Sequence, residues 1–280
     1  MASDSKFAVL IDADNISGKY IKIILDEISN DGIATYKRIY GDWTSPALVS
    51  WKNVLLDNSI LPIQQYSYTT GKNSTDSAMI IDAMDILYSG QVDGFCIVSS
   101  DSDFTRLAAR LRESGMTVVG MGERKTPKSF ISACNRFKYL DILATAEQKE
   151  PEKPAQPEKP KQQPKQEKAR PAPKQEPKPE PRPEPEPAPE PCPEPEEKQM
   201  TGLRTIKKAI RTIVAENSDE DGWLFIGTIG NLLVKRYPDF DVRNFGFSKL
   251  TPFIESLDLF DIKSVRTRDS SVKLIYVKLK

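Results

Sequence analysis

Short apolar runs alternate with amphipathic stretches over the first half of the chain. The apolar runs predict buried strands, and the stretches between them place apolar residues at helical spacing. The predicted strands are FAVLID, GIATYKRIYG, ILPIQQY, GFCIVS and MTVVGMG. The predicted helices are YIKIILDEISN, PALVSWKNVLLD, STDSAMIIDAMDILYSG, DFTRLAARLRESG and PKSFISACN. This alternation favours a doubly wound α/β fold with a mostly parallel sheet.

The last part of the chain has a different pattern. Apolar residues recur at helical spacing in LRTIKKAIRTIVAEN, IGTIGNLLVKRYPDF and FSKLTPFIESLD. The third of these helices tolerates Pro252 if this residue lies in its first turn. The segments LFDIKSVR and SVKLIYVKLK then alternate like a hairpin, with TRDS at the turn. Three helices and a β-hairpin predict a small winged-helix domain.

A proline-rich segment separates the two patterns. Of the 22 prolines, 17 lie between Pro151 and Pro195, among Glu, Lys and Gln and without any aromatic residue. This composition buries too little apolar surface to offset the entropy of ordering, so the segment is predicted to be disordered and extended. The predicted organisation is a first domain at residues 1–146, a flexible linker at 147–199 and a second domain at 200–280. Such a linker raises the effective concentration of one domain near the other.

Composition excludes several kinds of site. The 280 residues include no histidine, which removes Ser–His and Cys–His nucleophiles and every histidine-containing metal site. The three cysteines match neither a metal-binding spacing nor a disulfide framework. The sequence has no 18-residue apolar run and no signal-peptide pattern, so we expect a cytoplasmic protein without a membrane partner. Residues 200–280 carry a net charge of +4, which indicates a polyanionic partner.

Carboxylates follow the first and fourth predicted strands. Asp12 ends FAVLID, Asp101 and Asp103 follow GFCIVS, and Asp76 begins the third predicted helix. If the first and fourth strands are neighbours, these side chains converge at the carboxyl edge of the sheet. Clustered carboxylates repel one another unless a cation neutralises them. Mg²⁺ or Mn²⁺ prefers such oxygen ligands and activates water for phosphodiester cleavage.

A simpler interpretation exists for each acid taken alone. Asp76 and Asp103 both precede helices and are suited to capping them. Asp82 and Asp85 lie further along the helix of Asp76, where a solvated face or a supporting role is expected. Capping explains single residues better than it explains the convergence of several.

Several segments resemble known families. The ordered series VLIDADNI, GKNSTDSAMIIDAMDILYSG, GFCIVSSDSDFTRLAARLRESG and VVGMGERKTPKSFISACNRF resembles the NYN domains of the LabA/DUF88 group, within the PIN-like nuclease superfamily. This resemblance covers approximately residues 5–143. The segment DGWLFIGTIGNLLVKRYPDFDVRNFGFSKLTPFIE resembles the OST-HTH/LOTUS domain, a winged helix linked to RNA binding.

The resemblance implies metal-dependent ribonuclease chemistry. We expect the RNA substrate to be single-stranded. Carried over by motif, the ligands of Mg²⁺ or Mn²⁺ are Asp12, Asp76, Asp101 and Asp103. Asn15 would orient a water, a ligand or the backbone. The sequence matches the motifs at all these positions.

Basic residues provide candidate contacts to RNA phosphates. Those of the first domain are Lys72, Arg124, Lys125 and Lys128, and those of the second are Lys235, Arg236, Arg243 and Lys249. For the loop residues of the first domain, solvated surface charges are an equally simple interpretation. The aromatic residues Tyr237, Phe245 and Phe247 either stack on unpaired bases or belong to the core, and core burial is expected for the phenylalanines.

Three functions fit the sequence. The first is a metal-dependent RNA endonuclease with an appended RNA-binding domain. The second is a non-catalytic RNA-binding adaptor or regulator that retains the acidic pocket. The third is a haloacid-dehalogenase-type phosphatase with Asp12 as the nucleophile and Asp14 beside it, although Ile16 departs from that pattern and Asp76 has no role in it. The exposed edges of the predicted sheet are compatible with a homodimer.

Overall fold

The first domain is built around one six-stranded sheet. The structure, a computed structural model, describes residues 4–65, 74–147, 200–266 and 273–280. The strands are β1 (Lys6–Asp12), β2 (Ile33–Gly41), β3 (Leu61–Gln64), β4 (Gly94–Val98), β5 (Thr117–Gly122) and β6 (Arg136–Tyr139). They lie in the order β3-β2-β1-β4-β5-β6, and each neighbouring pair is parallel. The predicted parallel sheet is confirmed, and β1 and β4 are neighbours, as the convergence of the acids requires.

Helices cover both faces of this sheet. They are α1 (Ile21–Asp31), α2 (Val49–Leu55), α3 (Ser74–Ser89), α4 (Thr105–Glu113), α5 (Lys128–Ala133) and α6 (Leu140–Glu147). Helices α1, α2 and α6 pack into the apolar core on one face, and α3, α4 and α5 pack into the core on the other. Because β1 and β4 are buried on both faces, their sequences read as continuous apolar runs.

Strand β6 is absent from the sequence prediction. In its four residues, RFKY, Phe137 and Tyr139 are buried, Arg136 is exposed and Lys138 is partly buried, and the strand extends the sheet beyond β5. Phe137 and Tyr139 point into the core and pack edge to face, with ring centroids 5.2 Å apart. A four-residue strand carries too little pattern to be separated from the loops around it, so its place depends on tertiary packing.

The second domain has the predicted winged-helix elements. Its helices are α7 (Leu203–Asn217), α8 (Ile226–Arg236) and α9 (Leu250–Ser256), and its strands are β7 (Leu224–Phe225), β8 (Phe260–Arg266) and β9 (Lys273–Leu279). The strands are antiparallel in the order β7-β9-β8. Pro252 lies in the first turn of α9, as predicted. Phe245 and Phe247 are partly buried and pack on the fully buried Phe253, which agrees with the core interpretation of these phenylalanines.

The two domains contact each other directly and belong to one compact unit. The backbone N–H of Phe137 in β6 donates a hydrogen bond to the carbonyl oxygen of Pro238, at 2.7 Å. Next to it, the buried carboxylate of Asp239 accepts hydrogen bonds from the Tyr139 hydroxyl at 3.3 Å and from the Thr201 N–H and hydroxyl at 2.8 and 2.7 Å. The segment that follows α8 is therefore held against the edge strand of the sheet.

An ion pair adds to this contact. The Arg243 guanidinium donates to both carboxylate oxygens of Glu27 in α1, with an Nη2–Oε2 distance of 3.1 Å. The Lys138 ammonium lies 2.9 Å from the same carboxylate. Burial by itself would raise the pKa of Glu27, but the hydrogen bonds and charges of Arg243 and Lys138 outweigh burial and hold this pKa below its ordinary value. Glu27 is thus ionised at neutral pH, and the pair stabilises the docked arrangement.

Some predictions fall on residues outside the described ranges. These are residues 148–199 of the predicted linker, the hairpin turn TRDS and the candidate RNA contact Lys72. Their predicted properties stay predictions. Within the described ranges, no helix combines the length and apolar character needed to cross a bilayer.

Candidate metal centre

The carboxylate of Asp12 is buried at the point where β1 ends. It is only 1% exposed and accepts hydrogen bonds from the Asn15 side-chain amide at 2.7 Å and from the Ser99 hydroxyl at 2.8 Å. The backbone N–H of Asp14 also donates to it, at 3.1 Å. Burial raises the pKa of Asp12, and the donors from Asn15 and Ser99 offset only part of that increase. Asn15 therefore orients Asp12 and the loop after β1.

Asp101 and Asp103 follow β4 at the same edge of the sheet. The Asp101 N–H donates to the Ser99 hydroxyl at 3.0 Å, so Ser99 links the ends of β1 and β4. One carboxylate oxygen of Asp101 accepts the N–H of Asp103 at 2.9 Å and caps the short helical turn Ser102–Phe104. The residue that caps this turn is thus Asp101, whereas the sequence suggested a cap by Asp103. The cap uses only one of the two carboxylate oxygens of Asp101.

Helix α3 brings Asp76 to this edge. Met79 and Ala83 of α3 are fully buried against the sheet, and the Asp82 carboxylate accepts hydrogen bonds from the side chains of Arg38 and Tyr40 in β2. These contacts fix the helix across β2, which gives Asp82 the supporting role expected from the sequence. Asp76 lies in the first turn of α3 and is 9% exposed.

Three carboxylates converge here. One oxygen each from Asp76, Asp101 and Asp103 lies within 4.8 Å of the others. Burial, followed by the negative charges of Asp12, Asp101 and Asp103, raises the pKa of Asp76 to about 6. Oxygens that share one hard cation at a little over 2 Å must lie within about 4–5 Å of each other, so this donor set fits Mg²⁺ or Mn²⁺. Asp12 is outside the trio although its charge acts on Asp76, and its role as a direct ligand stays a prediction.

Glu123 is a further acid at this edge, and it is absent from the residues predicted from the sequence. It directly follows β5, where its N–H donates to the Ser100 hydroxyl at 2.9 Å and its carboxylate accepts from the Tyr20 hydroxyl at 3.2 Å. A side chain at Gly122 would place its Cβ 2.7 Å from the Ser99 carbonyl oxygen, so glycine permits the close approach of β4 and β5 here. Applying the strand-end rule to β5 as well as to β1 and β4 would have identified Glu123.

The predicted RNA-binding residues of the first domain differ in their surroundings. Arg124 pairs with Asp141 at 3.3 Å and Lys125 pairs with Glu123 at 3.0 Å, and both side chains are largely exposed. Lys128 begins α5, is exposed, and has no ion pair within the ranges that the structure describes. At the carboxyl edge, Lys128 is therefore the candidate whose charge no neighbouring acid neutralises.

The predicted RNA-binding residues of the second domain lie in two kinds of environment. Lys235 and Arg236 are exposed in the last turn of α8, and Lys249 is exposed just before α9. Arg243 is instead half-buried and bonded to Glu27 and Asp241. Its charge is already neutralised in the contact between the domains, so we do not include Arg243 among the candidate RNA contacts.

The raised pKa of Asp76 predicts how the metal-free protein responds to pH. The folded state binds the Asp76 proton more tightly than the unfolded state, so stability falls as the pH rises from the ordinary value of 3.8 to about 6. Asp76→Asn removes this penalty. The pKa shift of Asp76 corresponds to at most about 3 kcal/mol in the free energy of unfolding. Solvent screening at the partly open site reduces the stability that Asp76→Asn should gain to about 1 kcal/mol near neutral pH.

Chemical denaturation with chelator present measures this effect. The gain in the free energy of unfolding should disappear near pH 4 and should be absent at both pH values for Asp85→Asn, an exposed acid on the same helix. Added Mg²⁺ or Mn²⁺ should stabilise the wild type more than Asp76→Asn. An Asp76→Asn variant that is less stable than the wild type at neutral pH would contradict the prediction.

Two known domain families match the chain in the order of its two domains. Residues 6–141 match the NYN domain, and residues 202–272 match the OST-HTH/LOTUS domain. The chain is also similar to the crystal structure of a protein of unknown function from Vibrio parahaemolyticus, with 19% identity and a TM-score of 0.43. That similarity covers 50% of this chain and 96% of the other. A search of curated proteins found no significant match.

Proposed function

Because the chain carries an NYN domain followed by an OST-HTH/LOTUS domain, we propose that it is a Mg²⁺- or Mn²⁺-dependent endonuclease acting on single-stranded RNA. The observation that carries the proposal is the convergence of Asp76, Asp101 and Asp103 at the carboxyl edge of the NYN sheet. Carboxylates this close repel one another, and a divalent cation offsets the repulsion. The domain pair supports a role in RNA binding or processing, and the acidic trio favours hydrolysis.

Each residue of the site has a role in this proposal. Asp76, Asp101 and Asp103 hold the ion, which when bound supplies an activated water and offsets the charge that develops on the phosphate. Asn15 and Ser99 hold the Asp12 carboxylate in place by hydrogen bonds. The negative charge of Asp12 favours binding of a cation at the trio, and we propose Asp12 as a further ligand. Lys128, at the same edge, steadies a neighbouring phosphate of the substrate.

A second candidate function is a non-catalytic RNA-binding adaptor or regulator. Asp101 caps a helical turn and Asp12 orders the loop after β1, so both acids also contribute to the fold. The phosphatase alternative is disfavoured. Asp12 is almost completely buried and its carboxylate accepts several hydrogen bonds, which is a poor environment for a nucleophile that must reach a phosphate.

Metal-dependent cleavage of RNA tests the proposal. We expect the full-length protein to cleave an unstructured, end-labelled RNA when Mn²⁺ or Mg²⁺ is present and to leave it intact when a chelator is added. Under the same conditions, with chelator, RNA binding should persist because the basic residues do not depend on the ion.

The result separates the two candidate functions. Binding without cleavage, over a range of RNA sequences and with both ions, would overturn the nuclease proposal and favour the adaptor. Cleavage that continues in chelator would also contradict it, because the acidic trio then has no ion to hold.

Two properties predicted from the sequence belong with this proposal. A cytoplasmic location suits a protein that acts on cellular RNA. A homodimer is compatible with the exposed edge of the sheet, and light scattering on the purified chain would decide its oligomeric state.

A further inference from the structure

A cleft lies between the two domains at the amino end of the sheet. It has a volume of about 860 Å³ and is bordered by the beginnings of β1, β5 and β6 on one side and by the end of α8 on the other. Four basic residues line it: Arg112, Arg136, Lys235 and Arg236. We refer to this site, defined by those four residues, as the basic cleft.

The backbone contact between the domains adjoins the basic cleft, which Pro238 helps to line. The Phe137 N–H donates to the Pro238 carbonyl oxygen at 2.7 Å, which joins β6 to the segment after α8. Arg136 immediately precedes Phe137, and Lys235 and Arg236 precede Pro238 by three and two residues. Docking therefore brings basic residues from distant parts of the chain to one cleft.

The positive charge of the basic cleft is not balanced by its own lining. Asp31 is the only acid among the lining residues that the structure describes, and it already contacts Arg136 and Lys138, each at 2.8 Å. Arg112 donates to the backbone carbonyls of Ser132 and Ala133, which leave its charge uncompensated. Lys235 and Arg236 are exposed and have no ion pair in the described part of the chain. A concave surface of one charge sign concentrates the local electric field and attracts polyanions.

The other lining residues indicate what kind of polyanion fits. The remaining lining includes Ser132, Asn135 and Asn231, which are exposed polar residues. The one aromatic residue among the described lining, Phe7, is buried at 3% exposure and offers no ring for stacking on a base. Arginine guanidinium groups match the geometry of phosphate oxygens. The cleft is thus suited to a nucleic-acid backbone and not to the reading of bases.

The basic cleft is separate from the acidic trio. The cleft borders the start of β5 at Thr117, whereas the acids lie beyond the carboxyl ends of the parallel strands. Six residues of strand at about 3.3 Å each place the two sites roughly 20 Å apart along the sheet. A bound strand therefore has to run across the NYN domain to occupy both sites.

We propose that the basic cleft is an anchoring site for the phosphate backbone of RNA, built jointly by the NYN and winged-helix domains and independent of base sequence. This proposal rests on the proposed function in one respect: the identification of the polyanion as RNA. Neither domain alone provides this site, because Arg112 and Arg136 come from one and Lys235 and Arg236 from the other.

The test is RNA affinity measured with chelator present, so that cleavage plays no part. Fluorescence anisotropy with a labelled unstructured RNA compares the full-length wild type with Arg112→Gln and with Lys235→Gln/Arg236→Gln. Each lost phosphate contact should weaken binding about fivefold at ~0.1 M salt and reduce the salt slope by about 0.7. The matched controls are Arg110→Gln, on the same helix as Arg112, and Lys208→Gln/Arg211→Gln on α7, and both should bind within about twofold of the wild type.

The outcomes distinguish this inference from the proposed function. Cleft variants that bind RNA as tightly as the wild type, or control variants that lose as much affinity, overturn the anchoring site and leave the nuclease proposal intact. A wild type that binds but never cleaves, with affinity lost only in the cleft variants, supports the anchoring site and overturns the nuclease. If the same variants lose binding to a polyglutamate peptide and not to RNA, the cleft serves an acidic protein instead, and the inference fails.

Discussion

Asp101→Asn is expected to lower the rate of metal-dependent RNA cleavage by about 100- to 1,000-fold while leaving RNA affinity within about twofold. The substitution suits the structure because asparagine still accepts the Asp103 N–H and so keeps the cap of the turn after β4. What it removes is one of the three converging charges, which belong to Asp76, Asp101 and Asp103. The loss should therefore appear in metal affinity and cleavage rate, not in folding.

Initial rates measured over a range of Mn²⁺ concentrations test this expectation, with thermal unfolding as a check on folding. Asp85→Asn is the matched control, since Asp85 is an exposed acid on α3 whose removal changes the net charge equally. Asp101→Ala is a less suitable variant, because it also loses the cap and about 1 kcal/mol of stability. If Asp101→Asn cleaves at the wild-type rate over the full metal range, the trio does not hold the ion.

The convergence of the acids could be anticipated from the sequence because it depends on few facts. The runs FAVLI and GFCIV lack polar alternation, which indicates strands buried on both faces at the centre of a parallel sheet. Neighbouring parallel strands have their carboxyl ends at the same edge of the sheet, so Asp12 and Asp101 are expected to lie close together there. The sequence could not establish which carboxylates come within ligand distance. That depends on the turn capped by Asp101 and on the seating of α3 against β2.

Other parts of the fold had no usable local signal. Strand β6 has four residues, and β7 has two, so neither offers enough alternation to be recognised. Their positions depend on packing partners far away in the chain. Phe137 pairs with Pro238, and Leu224 of β7 lies opposite Val277 of β9.

The contact between the domains is the largest feature that the sequence did not reveal. Arg243 and Glu27 are 216 positions apart, and nothing near either residue indicates that they meet. In isolation Arg243 is one basic residue among aromatics, which is typical of an RNA-binding surface. A flexible linker was the expected connection, and the structure adds to it a direct contact made by Asp239, Arg243 and the backbone of Phe137.

Arg243→Glu is expected to separate the two domains. It places a carboxylate against Glu27, which is largely buried, and beside Asp241, so the docked state loses an ion pair and gains two repulsions. Loss of one partner of a partly buried charge pair costs about 2–4 kcal/mol, enough to favour the undocked state. Small-angle X-ray scattering should then show a larger radius of gyration than for the wild type. Arg243→Lys should give an intermediate result, since lysine keeps the charge and lacks the forked geometry.

Lys208→Glu is the matched control, because it makes the same charge change in the same domain at an exposed position. The pH dependence gives a second check. A depressed pKa for Glu27 means that its contribution to docking is present above the ordinary value of 4.5 and is lost as the pH falls below it. The wild type should therefore expand in acid, whereas Arg243→Glu should already be expanded at neutral pH.

Undocking should also weaken RNA binding, because it moves Lys235 and Arg236 away from Arg112 and Arg136 and so divides the basic cleft. Two half-sites joined by a linker hold a phosphate backbone less tightly than one preformed site, since each must be ordered on binding. Arg243→Glu should therefore lose more RNA affinity than Lys208→Glu, although both make the same change of charge. The contrary outcome is an equal loss of affinity in the two variants when scattering shows that the domains of Arg243→Glu are apart. RNA binding would then not depend on docking, and the winged-helix domain would bind RNA without help from the NYN domain.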